Sequence, residues 1–343
     1  MHFTILQSVY KKDSPDFLEE CFTSIATNTL LPECIILVKD GPLTDELESV
    51  IFAWQQKLPL YVVGYSENHG LAYALNYGLQ FCKTELIARM DSDDICYPDR
   101  FEKQVLFFEM HKDTVILGSG IEEFYLDGKG REYRKIRLYP KRTERKSKTL
   151  YRGTPIAHPS VMMKTELLKK YKYNIDTKCN EDIDLWLRIL GDGYIIKTLQ
   201  EPLVHFRITD ATFHRRSASK AFTEFVICSK YLNTVNGINK SSILPVLKLL
   251  TRFLPNKLNK KLYLSKKREN LFLEKYMNLK VLSSYVFMKN GHLFEALLEF
   301  EENDTLLIKA KQLDTDINNI IEIPASEVIL YKTNENSDIA LHV

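Results

Sequence analysis

The stretch ELIARMDSDDICYPDR, residues 85–100, combines an apolar run, a close group of carboxylates and the start of a helix. Its apolar run, 86–88, is typical of a buried strand. Three acids, Asp91, Asp93 and Asp94, follow within four positions, and a proline and a capping pair come next. The stretch therefore predicts a buried strand, an acidic turn and a helix in succession.

The same alternation extends outward from this stretch. Apolar, β-rich runs separated by helical spacing predict a series of strands at 2–9, 33–40, 58–65, 84–91 and 114–121. Strands alternating with helices favour an α/β fold, a mostly parallel sheet flanked by helices. Ligands of such sheets bind beyond the carboxyl ends of the strands. Asp40 and Asp91, which end the second and fourth predicted strands, should therefore face the same crevice.

The bulk composition indicates an ordinary globular protein with one large domain plus additions, or two domains. The chain has 343 residues, a net charge of +2 and 45% hydrophobic residues. Its six cysteines form no C-x-x-C pair, which favours free thiols in a reducing compartment. Neither a basic leader nor an apolar run of membrane-spanning length is evident, so we expect no signal peptide and no spanning helix.

The acidic group at 91–94 has two interpretations. One is simple capping of the following helix, because carboxylates stabilise helix N-termini. Capping requires one or two acids, however, and three acids within four positions repel one another. The other interpretation is a site for Mg²⁺ or Mn²⁺, which bind through oxygen ligands and usually hold substrate phosphates. The position at a strand end favours the metal site.

A second acidic group opens the predicted helix CNEDIDLWLRIL, residues 179–190. Glu181 and Asp182 suit the first turn of a helix whether or not they have a chemical role, because the helix dipole favours negative charge there. The functional interpretation is a general base, since a carboxylate can take the proton of an attacking hydroxyl. The stretch alone leaves both interpretations open.

Several basic residues are further candidates for contact with an acceptor or a diphosphate. His158 precedes a proline, and a structural histidine is an equal alternative. His205 and Arg207 belong to a basic group after a predicted strand, YIIKTLQEPLVHFRI, and that group could equally be a solvated loop. Three other basic side chains could neutralise phosphates, but salt bridges within the protein are the commoner role of such residues. These cations are Lys39, Arg89 and Arg188.

Taken in order, five segments of residues 1–215 resemble the family 2 glycosyltransferases, which have the nucleotide-sugar-binding fold called GT-A. The similar segments are SVYKKDSPDFLEECFTSI, IILVKDG, NHGLAYALNYG, ARMDSDDICYPDRFEKQV and NEDIDLWLRI. Each segment is a weak signal by itself, whereas five in the family's order are specific. The resemblance implies a catalytic domain over 1–215 and leaves 216–343 as a C-terminal extension, which we expect to be mainly helical.

The resemblance implies a role for each matching residue. Uridine would be held by Ser8, Tyr10 and Asp40, and Asp93 would ligate Mn²⁺ or Mg²⁺. Asp182 would be the base, with Glu181 orienting or replacing it. The rest of the nucleotide-sugar site would comprise Asn68, Gly70, Asn76, Arg89, Asp91 and Ser92.

The pattern departs from the family at Lys39 and Pro42, where most members have an acid and a serine. The version KDGPLTDEL, residues 39–47, resembles a subset that builds bacterial O-antigen and exopolysaccharide. That likeness implies a single inverting transfer from a UDP-sugar, with UDP-galactose or UDP-glucose favoured. It also implies a polyprenyl-diphosphate-linked saccharide acceptor, with the enzyme on the cytoplasmic face of the inner membrane. Nothing indicates a nucleic-acid partner.

The C-terminal third carries weaker signals. Apolar and basic residues alternate at helical spacing over 241–271, which fits either a membrane-surface helix or a helical subdomain. Residues 272–300 are expected to be helical, and 318–343 to form short strands and a tail.

The main alternative to an enzyme is a non-catalytic scaffold that binds nucleotide sugars in the same pathway. The presence of both Asp93 and Asp182 argues against it. A nucleotidyltransferase and a dinucleotide dehydrogenase are disfavoured because no Gly-rich segment follows the first strand.

Overall fold

The computed structural model of the chain divides into two compact units, Met1–Asn256 and Lys257–Val343. The first unit is therefore longer than the 1–215 expected for the catalytic domain. The structure describes residues 1–126, 132–147, 150, 154–177, 179–209, 218–236, 245–246, 249, 280–289, 292–302, 305–312, 320–324 and 331–332.

Ten described strands form the sheet of the first unit. They are β1 (Phe3–Val9), β2 (Cys34–Asp40), β3 (Leu60–Tyr65), β4 (Leu86–Arg89), β5 (Ile95–Cys96), β6 (Ile116–Leu126), β7 (Glu132–Arg137), β8 (Arg142–Thr143), β9 (Met162–Lys164) and β10 (Ile196–Ile208). The expected strands at 2–9, 33–40, 58–65, 84–91 and 114–121 are thus confirmed, with shifts at their ends.

Seven described α-helices accompany this sheet. They are α1 (Pro15–Ala26), α2 (Asp45–Trp54), α3 (Leu71–Leu79), α4 (Arg100–Met110), α5 (Thr165–Tyr171), α6 (Glu181–Gly191) and α7 (Ala218–Asn236). None of the helices within the described ranges combines the length and the apolar character needed to cross a bilayer.

The sheet runs in the order β3-β2-β1-β4-β9-β6-β10-β5, with β7 beside β6 and β8 beside β10. The block β3-β2-β1-β4 is parallel, whereas β9 is antiparallel to both of its neighbours. Because β1, β2 and β4 run the same way, their carboxyl ends meet at one edge. Asp40 ends β2 at this edge, and Asp91 follows β4 there, as the alternation predicted.

Alternate residues of the strands pack into two cores, one on each face of the sheet. Ile5 and Leu37 belong to the core on the face covered by α1, α2 and α4. Leu6 and Val38 belong to the core on the face covered by α3, α5 and α6. This period of two follows from the pleat of a strand, which sends successive side chains to opposite faces.

Residues 127–150 are basic, polar and contain glycine, a composition that predicts an exposed loop. This prediction is wrong for the described residues 132–137 and 142–143, which are strands. β7 pairs with β6, and there its cations meet buried acids. Arg134 contacts Glu122 at 2.9 Å, and Arg137 contacts Glu123 at 2.8 Å. The arginines of β7, whose charge suggested a solvated loop, instead neutralise glutamates of the neighbouring strand β6.

The helical expectation for 272–300 is also wrong over the described residues 280–289 and 292–300. The second unit contains an antiparallel sheet of five described strands in the order β14-β13-β12-β11-β15. They are β11 (Lys280–Lys289), β12 (His292–Glu302), β13 (Thr305–Gln312), β14 (Ile320–Pro324) and β15 (Tyr331–Lys332). The last two confirm the short strands expected in 318–343.

A period of two in the sequence is one signal of a strand at β12. Apolar residues recur in the sequence at alternate positions of β12, at 294, 296, 298 and 300, a spacing typical of a strand, and the pairing with β13 shifts register between Ala296 and Leu298. Of the segment 241–271, only 245–246 and 249 lie within the described residues, so its expected helical character is left open.

Candidate active site

The acidic turn after β4 brings three carboxylates together. One oxygen from each of Asp91, Asp93 and Asp94 lies within 4.8 Å of the other two. Asp94 is completely buried, and its Oδ1 accepts a 2.9 Å hydrogen bond from the backbone N–H of Arg207. Burial, together with the charges of Asp93 and Asp91, raises the pKa of Asp94 well above its ordinary value. The turn therefore concentrates negative charge that calls for a cation.

The donor set of this turn fits a divalent metal ion. Among the described residues, the buried Oδ2 of Asp94 has no hydrogen-bond partner. Buried polar atoms without a partner are rare in proteins, and some of them coordinate a bound ion. Three carboxylates offer only oxygen ligands, which Mg²⁺ and Mn²⁺ prefer.

Arg89, the last residue of β4, pairs with the acidic turn. Its side chain is only 4% exposed, and the guanidinium donates to Oδ1 of Asp91 and to the backbone oxygen of Met90. Burial, the largest single cause, lowers the pKa of Arg89, but the charges and hydrogen bond of Asp91, Tyr173 and Asp94 together outweigh it, so the net shift is upward. Arg89 is thus a buried counter-ion of the turn, whereas the resemblance implied contact with the nucleotide.

Arg207, near the end of β10, also bonds to the acidic turn. Its Nε donates to the backbone oxygen of Asp93 at 2.8 Å, and its Nη2 donates to Glu20. The guanidinium carbon lies 4.0 Å from the ring centre of Phe17 and 4.6 Å from that of Phe124. These contacts direct Arg207 to the turn's backbone, although the sequence suggested contact with an acceptor or diphosphate.

His205 is likewise engaged within the protein. Its Nδ1 lies 2.8 Å from Oε2 of Glu122, and its ring stacks on Tyr97 with centroids 4.1 Å apart. Burial opposes ionisation of Glu122, but His205, Arg134 and Tyr97 lower its pKa to about 2. The charged Glu122 was not apparent from the sequence, because it lies in an apolar strand without a motif.

Asp13 is a second site residue that the motifs missed. Its Oδ2 accepts hydrogen bonds from the backbone N–H of Tyr10 at 3.1 Å and from the hydroxyl of Ser92 at 2.9 Å. Burial raises the pKa of Asp13 to about 6, and the charges of Asp93 and Asp91 contribute to the rise. Asp13 therefore connects the loop after β1 to the acidic turn.

Asp40 is buried, and four donors occupy its carboxylate. Oδ1 accepts from the hydroxyl of Tyr65 at 2.9 Å and the backbone N–H of His69 at 2.8 Å. Oδ2 accepts from the side chain of Asn68 at 2.8 Å and the backbone N–H of Gly70 at 3.0 Å. Since a carboxylate has about four lone-pair positions, these donors saturate Asp40. It anchors the turn 68–70, whereas the resemblance implied a contact with uracil.

Two glycines allow this anchoring. Gly70 has a φ of +88°, a conformation that glycine adopts without steric cost, and it directly precedes α3. A Cβ on Gly41 would lie 2.8 Å from the backbone nitrogen of Asn68, too close for any other residue. Close approach of the two turns thus requires glycine at 41, a position to which the sequence by itself assigned no role.

The other residues expected to hold uridine lie at the same edge. Ser8 is partly buried near the end of β1 and pairs with Val38 of β2 in the parallel ladder. Tyr10 follows β1 directly and is also partly buried. These positions beside Asp40 are compatible with the nucleoside pocket that the resemblance implies.

Asn76 contacts a backbone segment of the protein. Its Nδ2 donates to the backbone oxygen of Tyr173 at 2.8 Å, and its Oδ1 accepts from the backbone N–H of Tyr173 at 2.9 Å. The hydroxyl of Tyr173 lies 2.8 Å from Nε2 of His158. Burial, with the charge of Arg89, lowers the pKa of His158 to about 3. His158 is therefore a neutral, buried histidine bonded to Tyr173, as its structural interpretation anticipated.

Glu181 and Asp182 open α6 as expected and are partly buried. The preceding residue, Asn180, has a φ of +62° and thereby turns the chain into the helix. Burial and the neighbouring charge of Glu181 raise the pKa of Asp182 from 3.8 to about 7, and Glu224 adds to the rise. A carboxylate with this pKa is suited to general-base catalysis near neutral pH.

The two acidic groups both influence the pKa of one buried side chain, Tyr173. Burial raises the pKa of the Tyr173 hydroxyl, and Glu181, Asp182 and Asp91 raise it further against the opposing charge of Arg89. The turn after β4 and the start of α6, 87 or more residues apart in the sequence, therefore act on the same hydroxyl. The fold thus brings the acidic turn and the candidate base within electrostatic range of one side chain.

Comparison with known proteins identifies the family of this chain. Residues 4–172 match the model of Glycosyl transferase family 2. The amylovoran biosynthesis glycosyltransferase AmsE of Erwinia amylovora is 32% identical over 76% of this chain and 97% of its own length. The Escherichia coli UDP-Gal:alpha-D-GlcNAc-diphosphoundecaprenol beta-1,3-galactosyltransferase is 36% identical over 64% of this chain and 78% of its own length. The chain belongs to the family 2 glycosyltransferases, as the five motifs indicated.

Solved structures agree on the fold. TarS 1–349 of S. aureus in complex with UDP has a TM-score of 0.54 at 17% identity, covering 80% of this chain and 75% of TarS. The mannosyltransferase PcManGT of Pyrobaculum calidifontis, in complex with GDP-Man and Mn²⁺, has a TM-score of 0.50 at 16% identity. The match covers 81% of this chain and 85% of PcManGT. The mixed α/β architecture is the GT-A fold that the sequence predicted.

Proposed function

We propose that the protein transfers one hexose from a UDP-sugar to a lipid-diphosphate-linked saccharide, with inversion, during assembly of a bacterial surface polysaccharide. The observation that carries this proposal is the convergence of Asp91, Asp93 and Asp94 within 4.8 Å at the carboxyl end of β4. In a parallel sheet this is where a nucleotide ligand binds.

On the donor side, the loop after β1 bonds to the acidic turn through Asp13 and Ser92, and the turn 68–70 bonds to the end of β2 through Asp40. Ser8 and Tyr10 are proposed to hold the uridine, and Tyr10 offers a ring for stacking on the base. The saturation of Asp40 by protein donors supports an indirect role, in which it shapes the turn 68–70 of the pocket.

Asp93, supported by Asp91 and Asp94, is proposed to hold Mn²⁺ or Mg²⁺. When bound, such an ion would neutralise the charge that develops on the departing diphosphate. Arg89 holds the turn through the carboxylate of Asp91. Arg207 holds it through the backbone oxygen of Asp93 and the carboxylate of Asp94. Residues that orient metal ligands usually contribute strongly to affinity.

Asp182 is proposed to take the proton from the acceptor hydroxyl as that oxygen attacks the anomeric carbon. The bond from the anomeric carbon to the diphosphate breaks as the new glycosidic bond forms, and inversion follows from this single displacement. The raised pKa of Asp182, about 7, supports this role. Glu181 raises that pKa and so tunes the base.

The names of the relatives supply the candidate substrates. AmsE acts in amylovoran biosynthesis, and the E. coli relative joins galactose to a GlcNAc-diphosphate lipid. We therefore propose UDP-galactose first and UDP-glucose second as donors, with a GlcNAc- or GalNAc-diphosphate lipid as acceptor. A lipid acceptor would place the protein at the cytoplasmic membrane surface, which flotation with anionic phospholipid vesicles would test.

The donor half of the proposal is tested by calorimetric titration with UDP, GDP and ADP, with and without Mn²⁺. We expect UDP alone to bind, with a requirement for Mn²⁺ that Asp93→Ala removes. Asp113→Ala is the matched control, because Asp113 is an exposed acid that pairs with Lys197. Binding of no nucleotide, or unchanged Mn²⁺ dependence in Asp93→Ala, would overturn the assignment.

The acceptor half is tested by turnover of radiolabelled UDP-galactose and UDP-glucose with synthetic GlcNAc- and GalNAc-diphosphate lipids. Asp182→Asn should abolish transfer while leaving UDP affinity nearly intact, as expected of a group that acts in the transition state. If Glu181→Gln is the inactive variant instead, the base is Glu181. Nucleotide binding without transfer to any acceptor would favour the non-catalytic scaffold.

A further inference from the structure

The segment 171–173 precedes α6, the helix that carries the proposed base. Side chains from two helices bond to the backbone of this segment. From α3, Asn76 donates to the backbone oxygen of Tyr173 and accepts from its N–H. From α6, Arg188 donates to the backbone oxygens of Tyr171 and Lys172, both at 2.7 Å. Four hydrogen bonds thus fix three consecutive residues.

The backbone at the centre of this segment is strained. Lys172 has a φ of +49°, which residues other than glycine adopt at a cost. Such conformations persist only where surrounding contacts impose them, and they cluster at functional sites. The bonds made by Asn76 and Arg188 on either side of Lys172 are contacts of this kind.

The held segment is connected to α6 through buried side chains as well as through the chain. The Tyr173 hydroxyl bonds to His158, and the His158 ring lies edge-on to Trp186 of α6 with centroids 6.0 Å apart. Arg188 also pairs with Asp184 in the first turns of α6 at 2.7 Å. A shift of Tyr173 would therefore be transmitted to the start of α6, where Asp182 lies.

We propose that Asn76 is a positioning residue for the transfer reaction, which acts through Tyr173 to set the base helix against the nucleotide face of the sheet. Its oxygen and one of its N–H groups are already bonded to Tyr173, which leaves little of the carboxamide for a nucleotide. The role differs from the nucleotide contact implied by its motif. Asn76 lies on α3, directly after the turn 68–70, so it joins the donor half of the site to the acceptor half.

The test compares Asn76→Ala with Gln80→Ala, a control at the exposed end of the same helix. We expect Asn76→Ala to lower kcat by about ten-fold or more, because small misplacements of a reacting group have effects of this size. The donor KM and the UDP dissociation constant should change by less than about two-fold. Loss of a direct contact with the nucleotide, at about 1.4 kcal/mol, would instead weaken UDP binding about tenfold. A parallel loss of UDP affinity would show that Asn76 contacts the nucleotide and would overturn the proposal.

Hydrogen–deuterium exchange supplies a readout that does not depend on turnover. Peptides from 179–190 should exchange faster in Asn76→Ala, while peptides from 86–96 should keep the wild-type rate. Arg188→Lys, which cannot bridge both carbonyls in the same way, should reproduce the exchange pattern and the loss of kcat. Unchanged exchange, or unchanged kcat in folded Asn76→Ala, would contradict the positioning role.

Since transfer by the wild type is the reference for kcat, the two proposals fail in different ways. Absence of wild-type transfer from any UDP-sugar would overturn the proposed function. In contrast, transfer by the wild type with equal kcat in Asn76→Ala would overturn only the positioning role.

Discussion

The backbone N–H of Arg207 donates a 2.9 Å hydrogen bond to Oδ1 of Asp94, joining positions 113 residues apart. The side chain of Arg207 reaches the same turn through the backbone oxygen of Asp93. Two bonds from one residue of β10 therefore fix the orientation of the acidic turn after β4. Because the carboxylates repel one another, such external support is needed to keep them converged without a cation.

Arg207→Lys is expected to weaken Mn²⁺ binding by about ten- to a hundred-fold, the usual effect of losing a group that orients metal ligands. Lysine keeps the charge but loses the planar contact with Phe17 and Phe124. Titration of Mn²⁺ by electron paramagnetic resonance measures this affinity. Arg142→Lys, an exposed arginine paired with Glu144, is the control. Equal Mn²⁺ affinity in both variants would contradict the supporting role of Arg207.

Asp40→Asn is expected to destabilise the nucleotide-free protein by about 1–3 kcal/mol, the cost of leaving a buried donor without its acceptor. The asparagine amide would face donors from Asn68, His69 and Gly70. Urea denaturation measures the free energy of unfolding, with Glu67→Gln, an exposed acid directly before the turn 68–70, as control. Full stability with a loss of UDP affinity alone would instead support a direct uracil contact by Asp40.

The pH dependence of kcat should report the ionisation of Asp182. A general base accepts a proton only when ionised, so kcat should rise with pH and level off above a midpoint near 7. Glu181→Gln removes the adjacent negative charge, one of the causes of the raised pKa, and should move the midpoint to lower pH. Glu224→Gln should move it in the same direction. If the midpoint of the kcat–pH curve is unchanged in both variants, Asp182 is not the base.

The same ionisation should affect stability. The folded pKa of Asp182, about 7, lies above the ordinary value of 3.8, so the folded protein binds this proton more tightly than the unfolded chain. The contribution of Asp182 to the free energy of unfolding should therefore fall as pH rises from about 4 to 7. Asp182→Asn should lack this component, as measured by urea denaturation at several pH values. An identical pH dependence in the variant and the wild type would contradict the raised pKa.

Gly78→Ala should destabilise the first unit although alanine favours helices. A Cβ at this position of α3 would lie 2.6 Å from Cγ2 of Val38 and 2.7 Å from Cδ1 of Leu6. Overpacking a core costs about 1–3 kcal/mol, which exceeds the helix-propensity gain of about 1 kcal/mol. Gly78→Ala combined with Leu6→Ala removes one clash and provides the control for the cause. Thermal unfolding that is unchanged in Gly78→Ala would show that α3 can move away from the sheet.

The local sequence was sufficient for much of the first unit. Apolar periodicity located the strands, and the acids at 91–94 and 181–182 lie where their flanking elements predicted. It failed at 132–137, where charged residues form a strand because buried glutamates neutralise them. It also failed at 280–289 and 292–300, where apolar residues at both helical and alternating spacing left the type of element to be decided by pairing between strands.

The sequence predicted the acidic residues of the candidate site but not the residues that hold them in place. Asp13, Glu122 and Tyr173 have no motif of their own, and each becomes recognisable only through a partner distant in the chain. The basic candidates showed the converse, since His158 and Arg207 suggested ligand contacts and proved to be engaged by the protein itself.

The sequence by itself determined the alternation of strands and helices, the carboxylates at the strand ends and membership of a family defined by ordered motifs. These features depend on residues close together in the chain, whose spacing reflects the geometry of one element. Only the tertiary structure decided that Asp40 is saturated by the turn 68–70, that Arg207 supports the acidic turn, and that Asn76 bonds to Tyr173 97 residues away. Such contacts arise from packing between elements, which leaves no periodic pattern in the sequence.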